Sequence, residues 1–312
     1  MLKYRLITGP ILIAFLLGVI LLDSYLDTIR LSGFWTELFS IKAHPDQLPK
    51  GLALFVLGLV VAPLAALELC AIFQANNIMT RPWLTAAAAM LGLILSYSIP
   101  MATEAIDAIS LVSTGMIVVF VASLLTFSRH RNVQGVVAAA GAVVFAMVYL
   151  GLMLGFLLAL RREHSAWWIV GVICITKTCD SGAFFTGRAI GRHKMVPWLS
   201  PGKTWEGLAG GVISAVAAGI LLALASGWLP QRPPDQPTDV VTIWVGAVCG
   251  VVFAVVGQLG DLAMSLLKRG AGIKDSSHIL PGLGGVLDVL DSPLMVAPVA
   301  YWLLTLTSPS PI

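Results

Sequence analysis

Residues 177–207, KTCDSGAFFTGRAIGRHKMVPWLSPGKTWEG, gather side chains that could bind phosphate groups within an otherwise apolar chain. The cations Arg188, Arg192 and Lys203 lie within sixteen residues of one another. Glycines alternate with these cations, and a glycine lets backbone amides approach a phosphate oxygen closely. The stretch therefore predicts an anion-binding surface. A loop that carries cations only to set membrane topology is the alternative explanation.

Two pairs of residues in this stretch have predicted local roles. Lys177 and Asp180 stand three apart near the end of an apolar run, where a helix would join them as an ion pair or place them in a wet cavity. Ser200 precedes Pro201, which is the pattern of an N-cap followed by the first helical residue. A helix whose N-terminus favours anions is therefore predicted to begin there.

Residues 257–292 form a second polar stretch. On a helix, Asp261, Ser265 and Lys268 stand at positions i, i+4 and i+7, so an acid, a hydroxyl and a cation share one face. The polar surface continues into a loop through Arg269, Lys274 and Asp275. This spacing predicts a second set of groups suited to phosphate chemistry.

A glycine-rich turn, PGLGG at residues 281–285, leads directly to Asp288 and Asp291. Pro293 is predicted to interrupt the last helix, with Ser292 as its cap, which leaves both aspartates on a short broken segment of the kind that lines membrane sites. Mg²⁺ typically takes one or two carboxylates and leaves its other positions to water and phosphate oxygens. The acids and cations of the two stretches therefore predict a magnesium site for a phosphate substrate. A network of structural ion pairs is the alternative.

The elements that must position these residues are membrane helices. Hydrophobic residues make up 58% of the chain and charged residues 11%, and the mean hydropathy is +0.91, which excludes an ordinary soluble domain. Because roughly 20 helical residues cross a bilayer core, nine spans are predicted: 6–22, 51–76, 84–100, 108–127, 136–160, 167–185, 207–229, 241–267 and 293–307. The chain is therefore predicted to be an all-α polytopic integral membrane protein with about nine transmembrane helices. The first is expected to stay as an anchor.

Cations in the connections predict the orientation. Alternate connections hold twelve Lys and Arg residues on one side and six on the other, so the N-terminus is predicted to be cytoplasmic and the C-terminus outside. The polar stretches then face the cytoplasm from a cell membrane, in bacteria the inner membrane. We expect residues 1–165, with Glu68, to form a hydrophobic scaffold and residues 166–312 to carry the catalytic site. Residues 32–42 predict an interfacial amphipathic helix.

Other kinds of site are not supported. The GKT at 202–204 lacks the glycine that a P-loop needs five positions before Gly202, where Pro197 stands. The four cysteines fall in apolar runs without C-x-x-C spacing, so we expect buried free thiols instead of zinc ligands or disulfides. No nucleic-acid partner is expected, and a homodimer is compatible with the sequence.

The second stretch resembles the signature of the phosphatidate cytidylyltransferase family, also called CDP-diacylglycerol synthases. That signature reads S-x-x-K-R-x4-K-D, a small residue two positions further on, an apolar-Pro/Gly-x-H-G-G turn and finally D-R-x-D. The residues in register are Ser265, Lys268, Arg269, Lys274, Asp275, Ser277, Leu280, Pro281, Gly284, Gly285, Asp288 and Asp291. DSGAFFTGRAIGR and SPGKTWEG of the first stretch are also similar to that family. Two positions depart from it, because Leu283 replaces the usual His and Val289 the usual Arg.

The resemblance implies that phosphatidate attacks CTP in the membrane, giving CDP-diacylglycerol and pyrophosphate with Mg²⁺ as cofactor. It implies that Asp261 and Asp288 bind the metal, with Asp180 a further candidate. It implies catalytic roles for Lys268 and Lys274 beside the two aspartates. The substrate-binding residues that it implies are Asp180, Arg188, Arg192, Ser200, Lys203, Ser265, Arg269, Asp275, Gly284, Gly285 and Asp291.

Two alternatives remain open at the level of sequence. A related CTP-dependent lipid-alcohol kinase would use the same triphosphate but an acceptor hydroxyl that needs a base. An ion-coupled transporter would also place Asp and Lys residues inside the membrane, although the internal repeats common in transporters are not found.

Overall fold

The computed structural model describes residues 2–29, 48–99, 105–128, 134–228 and 240–307. These residues are almost entirely helical. The helices are α1 Leu2–Leu26, α2 Leu52–Ala75, α3 Pro82–Ser98, α4 Ala105–Ser128, α5 Val136–Ala146, a π-helical segment Met147–Leu152, α6 Met153–Glu163, α7 Trp167–Ile190, α8 Trp205–Ser226, α9 Ile243–Gly270 and α10 Val286–Thr307. A two-stranded hairpin, β1 Lys194–Val196 and β2 Ser200–Thr204, joins α7 to α8. The predicted interfacial helix at 32–42 lies outside the described residues.

Eight helical segments of the described chain are long and apolar enough to span a membrane, with Val136–Glu163 counted as one. The predicted span 84–100 corresponds to α3, a shorter apolar helix of 17 residues. Large apolar side chains such as Ile7, Val137 and Leu221 are well over half exposed, as expected for surfaces that face hydrocarbon. The prediction of an all-α polytopic membrane protein is confirmed.

The chain forms two compact units. The first comprises Met1–Arg162 with Ala271–Val289, and the second comprises Glu163–Gly270 with Leu290–Ile312. Residues 271–289 thus pack against the helices of the first half of the chain. The predicted division into a scaffold before residue 165 and a catalytic region after it is a functional one, and it stays a prediction.

The first unit packs α3, α4, α5 and the π-helical segment around a core of Leu84, Val119, Val143 and Met147. A buried ion-pair cluster ties α1 to α6, because the Arg161 guanidinium lies 2.5 Å from carboxylate oxygens of both Asp23 and Asp27. Arg161 and Asp23 are buried, and removing one partner of a buried ion pair leaves a costly unpaired charge. The second unit packs α8 against α7 and α9 through glycines. A methyl group at Gly250 would lie 2.5 Å from the Val216 Cα, so only glycine permits this approach.

Three local predictions were wrong. Ser200 does not begin a helix: it pairs with Val196 in the antiparallel hairpin, and α8 begins at Trp205. Pro293 does not interrupt the last helix, since α10 runs through it, and Asp288 and Asp291 are both helical. Membrane helices tolerate proline because neighbouring groups satisfy the freed carbonyl.

The third wrong prediction concerns one cysteine. All four cysteines are free thiols, and Cys70, Cys179 and Cys249 are buried as expected. Cys174 is exposed instead, because an apolar run in a membrane helix has one side turned outward as well as one turned into the protein.

Candidate functional site

A cavity of about 540 Å³ lies within the second unit, among α7, the hairpin, α8 and α9. Its wall combines two carboxylates with three cations and several glycines. The acids are Asp180 and Asp261, the cations are Arg188, Lys194 and Lys203, and the glycines are Gly187, Gly202 and Gly207. A concave surface with converging charged groups is the usual form of a binding site, and this mixture suits a phosphorylated ligand with a bound cation.

Close packing of α7 on α8 shapes this wall. A methyl group at Gly187 would lie 3.1 Å from the Thr204 hydroxyl, so the α7 backbone approaches the start of α8 closely. The same hydroxyl accepts a hydrogen bond of 3.1 Å from the Gly207 amide and is the N-cap of α8. The N-cap of α8 is therefore Thr204 and not the predicted Ser200.

The hairpin is fixed to α8 by Glu206. Its carboxylate accepts hydrogen bonds from the backbone amides of Arg192 at 3.1 Å and His193 at 3.2 Å. A carboxylate oxygen also lies 2.5 Å from the His193 ring nitrogen Nδ1. The Trp205 amide also donates to the His193 carbonyl at 3.0 Å. These contacts hold β1 beside β2, which carries Lys203 into the cavity wall.

Acids and cations pair along the wall and beside it. The Lys203 ammonium lies 2.8 Å from an Asp261 carboxylate oxygen. Lys177 lies 3.4 Å from Asp180, which also lines the cavity, so Asp180 meets both of the arrangements that the sequence left open. On α9, the Ser265 hydroxyl donates to Asp261 at 3.5 Å, as the i, i+4 spacing predicted.

The predicted site residues divide into three sets. Those in the cavity wall are Asp180, Arg188, Ser200, Lys203 and Asp261. Those in the second unit but outside the described wall are Arg192, Ser265, Lys268, Arg269 and Asp291. Those in the first unit are Lys274, Asp275, Gly284, Gly285 and Asp288. Lys268 and Asp291 are buried, whereas Arg192 and Arg269 are exposed.

The first-unit set lies on the turn before α10, except for Asp288, which is in the first turn of α10 itself. Gly282 and Gly284 have φ of 82° and 94°, in the left-handed region that favours glycine. The backbone groups of Leu280 and Gly284 form two hydrogen bonds with each other. An Asp288 carboxylate oxygen accepts the Ser276 amide at 2.9 Å, the Ser276 hydroxyl at 3.0 Å and the Gly285 amide at 2.9 Å. Asp288 therefore caps α10 from its first turn.

Glu68, on α2, is a residue in contact with this turn that sequence reasoning missed. It was assigned to the scaffold, but its buried carboxylate accepts hydrogen bonds from the Ser276 and Ser277 hydroxyls and the Val286 and Leu287 amides. The available signal was an acid in the middle of an apolar span, which is costly unless it has partners.

The two acids of the cavity wall fit the needs of a magnesium ion. No group of three or more His, Cys, Asp or Glu side chains that could hold a metal occurs among the described residues. Mg²⁺, however, needs only one or two carboxylates when substrate phosphates and water supply the rest. Asp180 and Asp261 line the same cavity and could provide them. Joint binding by Asp261 and Asp288 stays a prediction.

Comparison with known proteins agrees with this chemistry. A family model described as the Cytidylyltransferase family matches residues 47–307. The chain is 36% identical over 171 residues to a phosphatidate cytidylyltransferase of Bacillus subtilis, covering 54% of this chain and 59% of that protein. It is 36% identical over 166 residues to that of Mycobacterium bovis, covering 53% and 50%. It is 39% identical over 129 residues to that of Haemophilus influenzae, covering 41% and 42%. The chain thus spans about half the length of these relatives.

Proposed function

The chain belongs to the cytidylyltransferase family, and we propose that it transfers the cytidylyl group of CTP to phosphatidate. The products are CDP-diacylglycerol and pyrophosphate. The observation that carries the proposal is the cavity of the second unit, where Asp180 and Asp261 share a wall with three cations. Relatives that align with this chain are phosphatidate cytidylyltransferases, which supports the choice of both substrates.

The reaction forms one P–O bond and breaks another. An oxygen of the phosphatidate phosphate attacks the α-phosphorus of CTP, and the bond from that phosphorus to the bridging oxygen of the β-phosphate breaks to release pyrophosphate. A phosphate monoester has a second pKa of about 6 and is mostly dianionic at neutral pH, so the attacking oxygen needs no general base. The protein must chiefly hold two anions together and offset their charge.

The cavity wall supplies groups for that task. Arg188, Lys194 and Lys203 are proposed to bind phosphate oxygens of CTP, and Arg188 can do so through two parallel hydrogen bonds. Asp180 and Asp261 are proposed to hold Mg²⁺, which when bound would offset negative charge on the triphosphate. The Lys203 ammonium lies 2.8 Å from Asp261 at the end of a flexible chain, so we expect it to reach the phosphate oxygens of bound CTP.

Pyrophosphate release on mixing the purified protein with CTP, phosphatidate and Mg²⁺ tests the proposal. Appearance of CDP-diacylglycerol on thin-layer chromatography is the expected result. A lipid-alcohol kinase would instead release CDP and form a lipid monophosphate from an added lipid alcohol. A transporter would release neither pyrophosphate nor CDP, and that outcome would refute the assignment.

The active site is further proposed to face the cytoplasm, on the support of the twelve-to-six distribution of cations. Single cysteines at Gly202 or Gly272, placed in a background without native thiols, should resist an impermeant thiol reagent in sealed cells and react after permeabilisation. Gly272 has φ of 70° and Gly202 has open space around it, so Gly202 is the less disruptive site. Labelling of Gly202→Cys in sealed cells would reverse the orientation.

A further inference from the structure

The Glu68 carboxylate, only 4% exposed, is the anchor of the turn before α10. One carboxylate oxygen accepts the Ser277 hydroxyl at 2.6 Å and the Val286 amide at 2.9 Å. The other accepts the Ser276 hydroxyl and the Leu287 amide, each at 2.9 Å. Each oxygen therefore binds one hydroxyl and one amide, all from residues 276–287.

The two amides explain why an acid stands inside an apolar helix. Val286 and Leu287 begin α10, and the first amides of a helix have no acceptor within it. An unsatisfied amide at membrane depth is costly, and a carboxylate is the acceptor that the positive end of the helix dipole favours. Glu68 thus supplies from α2 what the turn cannot supply for itself.

Glu68 and Asp288 act on the turn together. The Ser276 hydroxyl lies 2.9 Å from Glu68 and 3.0 Å from Asp288, so the two acids compete for its single proton. Gly285 completes the arrangement, since a methyl group there would lie 2.7 Å from the Glu68 carboxyl carbon. The Gly285 backbone therefore packs directly against the Glu68 carboxyl group, next to the two amides that Glu68 accepts.

We propose that Glu68 is a positioning residue for nucleotidyl transfer, which acts by holding the turn at residues 274–288 in its reactive geometry. The inference rests on the proposed function, because the family resemblance assigns Lys274, Gly284 and Gly285 to that reaction. The hydrogen bonds of the Glu68 carboxylate are to residues of the turn and of the start of α10. Glu68 would therefore affect the reaction through the positions of Lys274, Gly284 and Gly285. A scaffold residue would support the stability of the protein without a specific effect on turnover.

Glu68→Gln tests the proposal with little change in size. The amide group replaces one acceptor oxygen with a donor, so an N–H or O–H of the turn faces an NH₂. We expect hydrogen exchange at Val286 and Leu287 to accelerate at least about tenfold and kcat to fall at least about tenfold. The KM for CTP should change less than about threefold, because the cations of the cavity wall are intact.

Glu163→Gln is the matched control. Glu163 accepts hydrogen bonds from Tyr301 at 2.6 Å and Thr305 at 3.1 Å, and it lies in the second unit. The same chemical change there should leave exchange at residues 285–287 and kcat close to those of the unmodified protein. An equal loss of kcat in both variants would show that a helix carboxylate affects turnover only through general stability, and the proposal would be wrong.

Ser277→Ala gives an independent test that keeps the carboxylate, should Glu68→Gln fail to fold. It removes one donor to Glu68, so a smaller loss of kcat in the same direction is expected. Added to Glu68→Gln, it should have little further effect, because the shared hydrogen bond is already broken. Unchanged exchange and kcat in Ser277→Ala and Glu68→Gln would overturn the proposal, as would faster exchange with an unchanged kcat.

Hydrogen exchange also separates this proposal from the proposed function. If the unmodified protein releases no pyrophosphate from CTP and phosphatidate, the proposed function fails, and the positioning role falls with it. Faster exchange in Glu68→Gln would then show only that Glu68 holds the turn. If the unmodified protein is active and Glu68→Gln is equally active, only the positioning role fails.

Discussion

The cavity wall of the second unit and the turn of the first unit both depend on carboxylates, but they use them in opposite ways. In the wall, Asp261 faces the Lys203 ammonium at 2.8 Å, and their side chains are 35% and 17% exposed. In the turn, Glu68 and Asp288 face hydroxyl and backbone N–H groups. The partner of an acid, more than its burial, therefore indicates whether it can take part in chemistry.

The physical reason lies in what each partner can do. A lysine ammonium ends a flexible chain and can move from a carboxylate to a phosphate, so the Asp261 carboxylate can exchange it for a metal ion. Backbone amides of a helix start cannot move without unwinding the helix. Removing charge in the wall should consequently affect chemistry first, and removing charge in the turn should affect geometry first.

Asp261→Asn is expected to have the largest effect. The change keeps the size of the side chain but removes the negative charge that pairs with Lys203 and is proposed to hold Mg²⁺. Pyrophosphate release at saturating CTP should fall by about 10³-fold, in the range seen when a main electrostatic group is lost from an active site. Folding should be retained, as judged by the thermal unfolding midpoint.

Asp107→Asn is the control for this prediction. Asp107 lies exposed in the first turn of α4, and the same substitution there should leave pyrophosphate release within about twofold of normal, as is usual for surface positions. Near-normal turnover in Asp261→Asn would remove Asp261 from the metal site and make Asp180 the next carboxylate to replace.

Asp288→Asn should have an intermediate effect on turnover. It tests whether the carboxylates of the turn differ in role from those of the cavity wall. An asparagine oxygen can still accept the Gly285 amide, so we expect a loss of turnover of about 10- to 100-fold with faster hydrogen exchange in the turn. The Mg²⁺ concentration for half-maximal activity should stay near normal. An increase in that concentration equal to the one caused by Asp261→Asn would show that Asp288 shares the metal, as the family resemblance implies.

Much of this architecture could be predicted from the sequence because it depends on local patterns. The length of the apolar runs determined the all-α membrane class, and helical periodicity placed Lys177 beside Asp180 and Ser265 beside Asp261. A local pattern also failed at Ser200. The Ser-Pro pair predicted a helix start there, but pairing of β2 with β1 takes up Ser200, and the helix is capped by Thr204 four residues later.

The role of Glu68 could not be predicted by the same means. Its partner Ser276 lies 208 positions away in the chain, and nothing in the residues around Glu68 indicates which distant amides it meets. The continuity of α10 through Pro293 is a similar case, because whether a membrane helix tolerates a proline depends on neighbouring groups that a local pattern does not include.

Glu206→Gln should have the smallest effect of the three substitutions. Glu206 holds the hairpin through the Arg192 and His193 amides, and a glutamine oxygen can keep one of these bonds. The contact with the His193 ring adds little, since that side chain is 80% exposed and exposed ion pairs contribute little to stability.

The reason to expect any effect is that the hairpin carries Lys194 and Lys203 into the cavity wall. A looser hairpin should raise the KM for CTP about two- to threefold and leave kcat unchanged, because it weakens ground-state and transition-state contacts equally. Steady-state pyrophosphate release over a range of CTP concentrations measures both constants, and His193→Ala should give a still smaller change. A loss of kcat approaching that of Asp261→Asn would place Glu206 among the groups that act on the reaction, and the hairpin would then be more than a support for its two lysines.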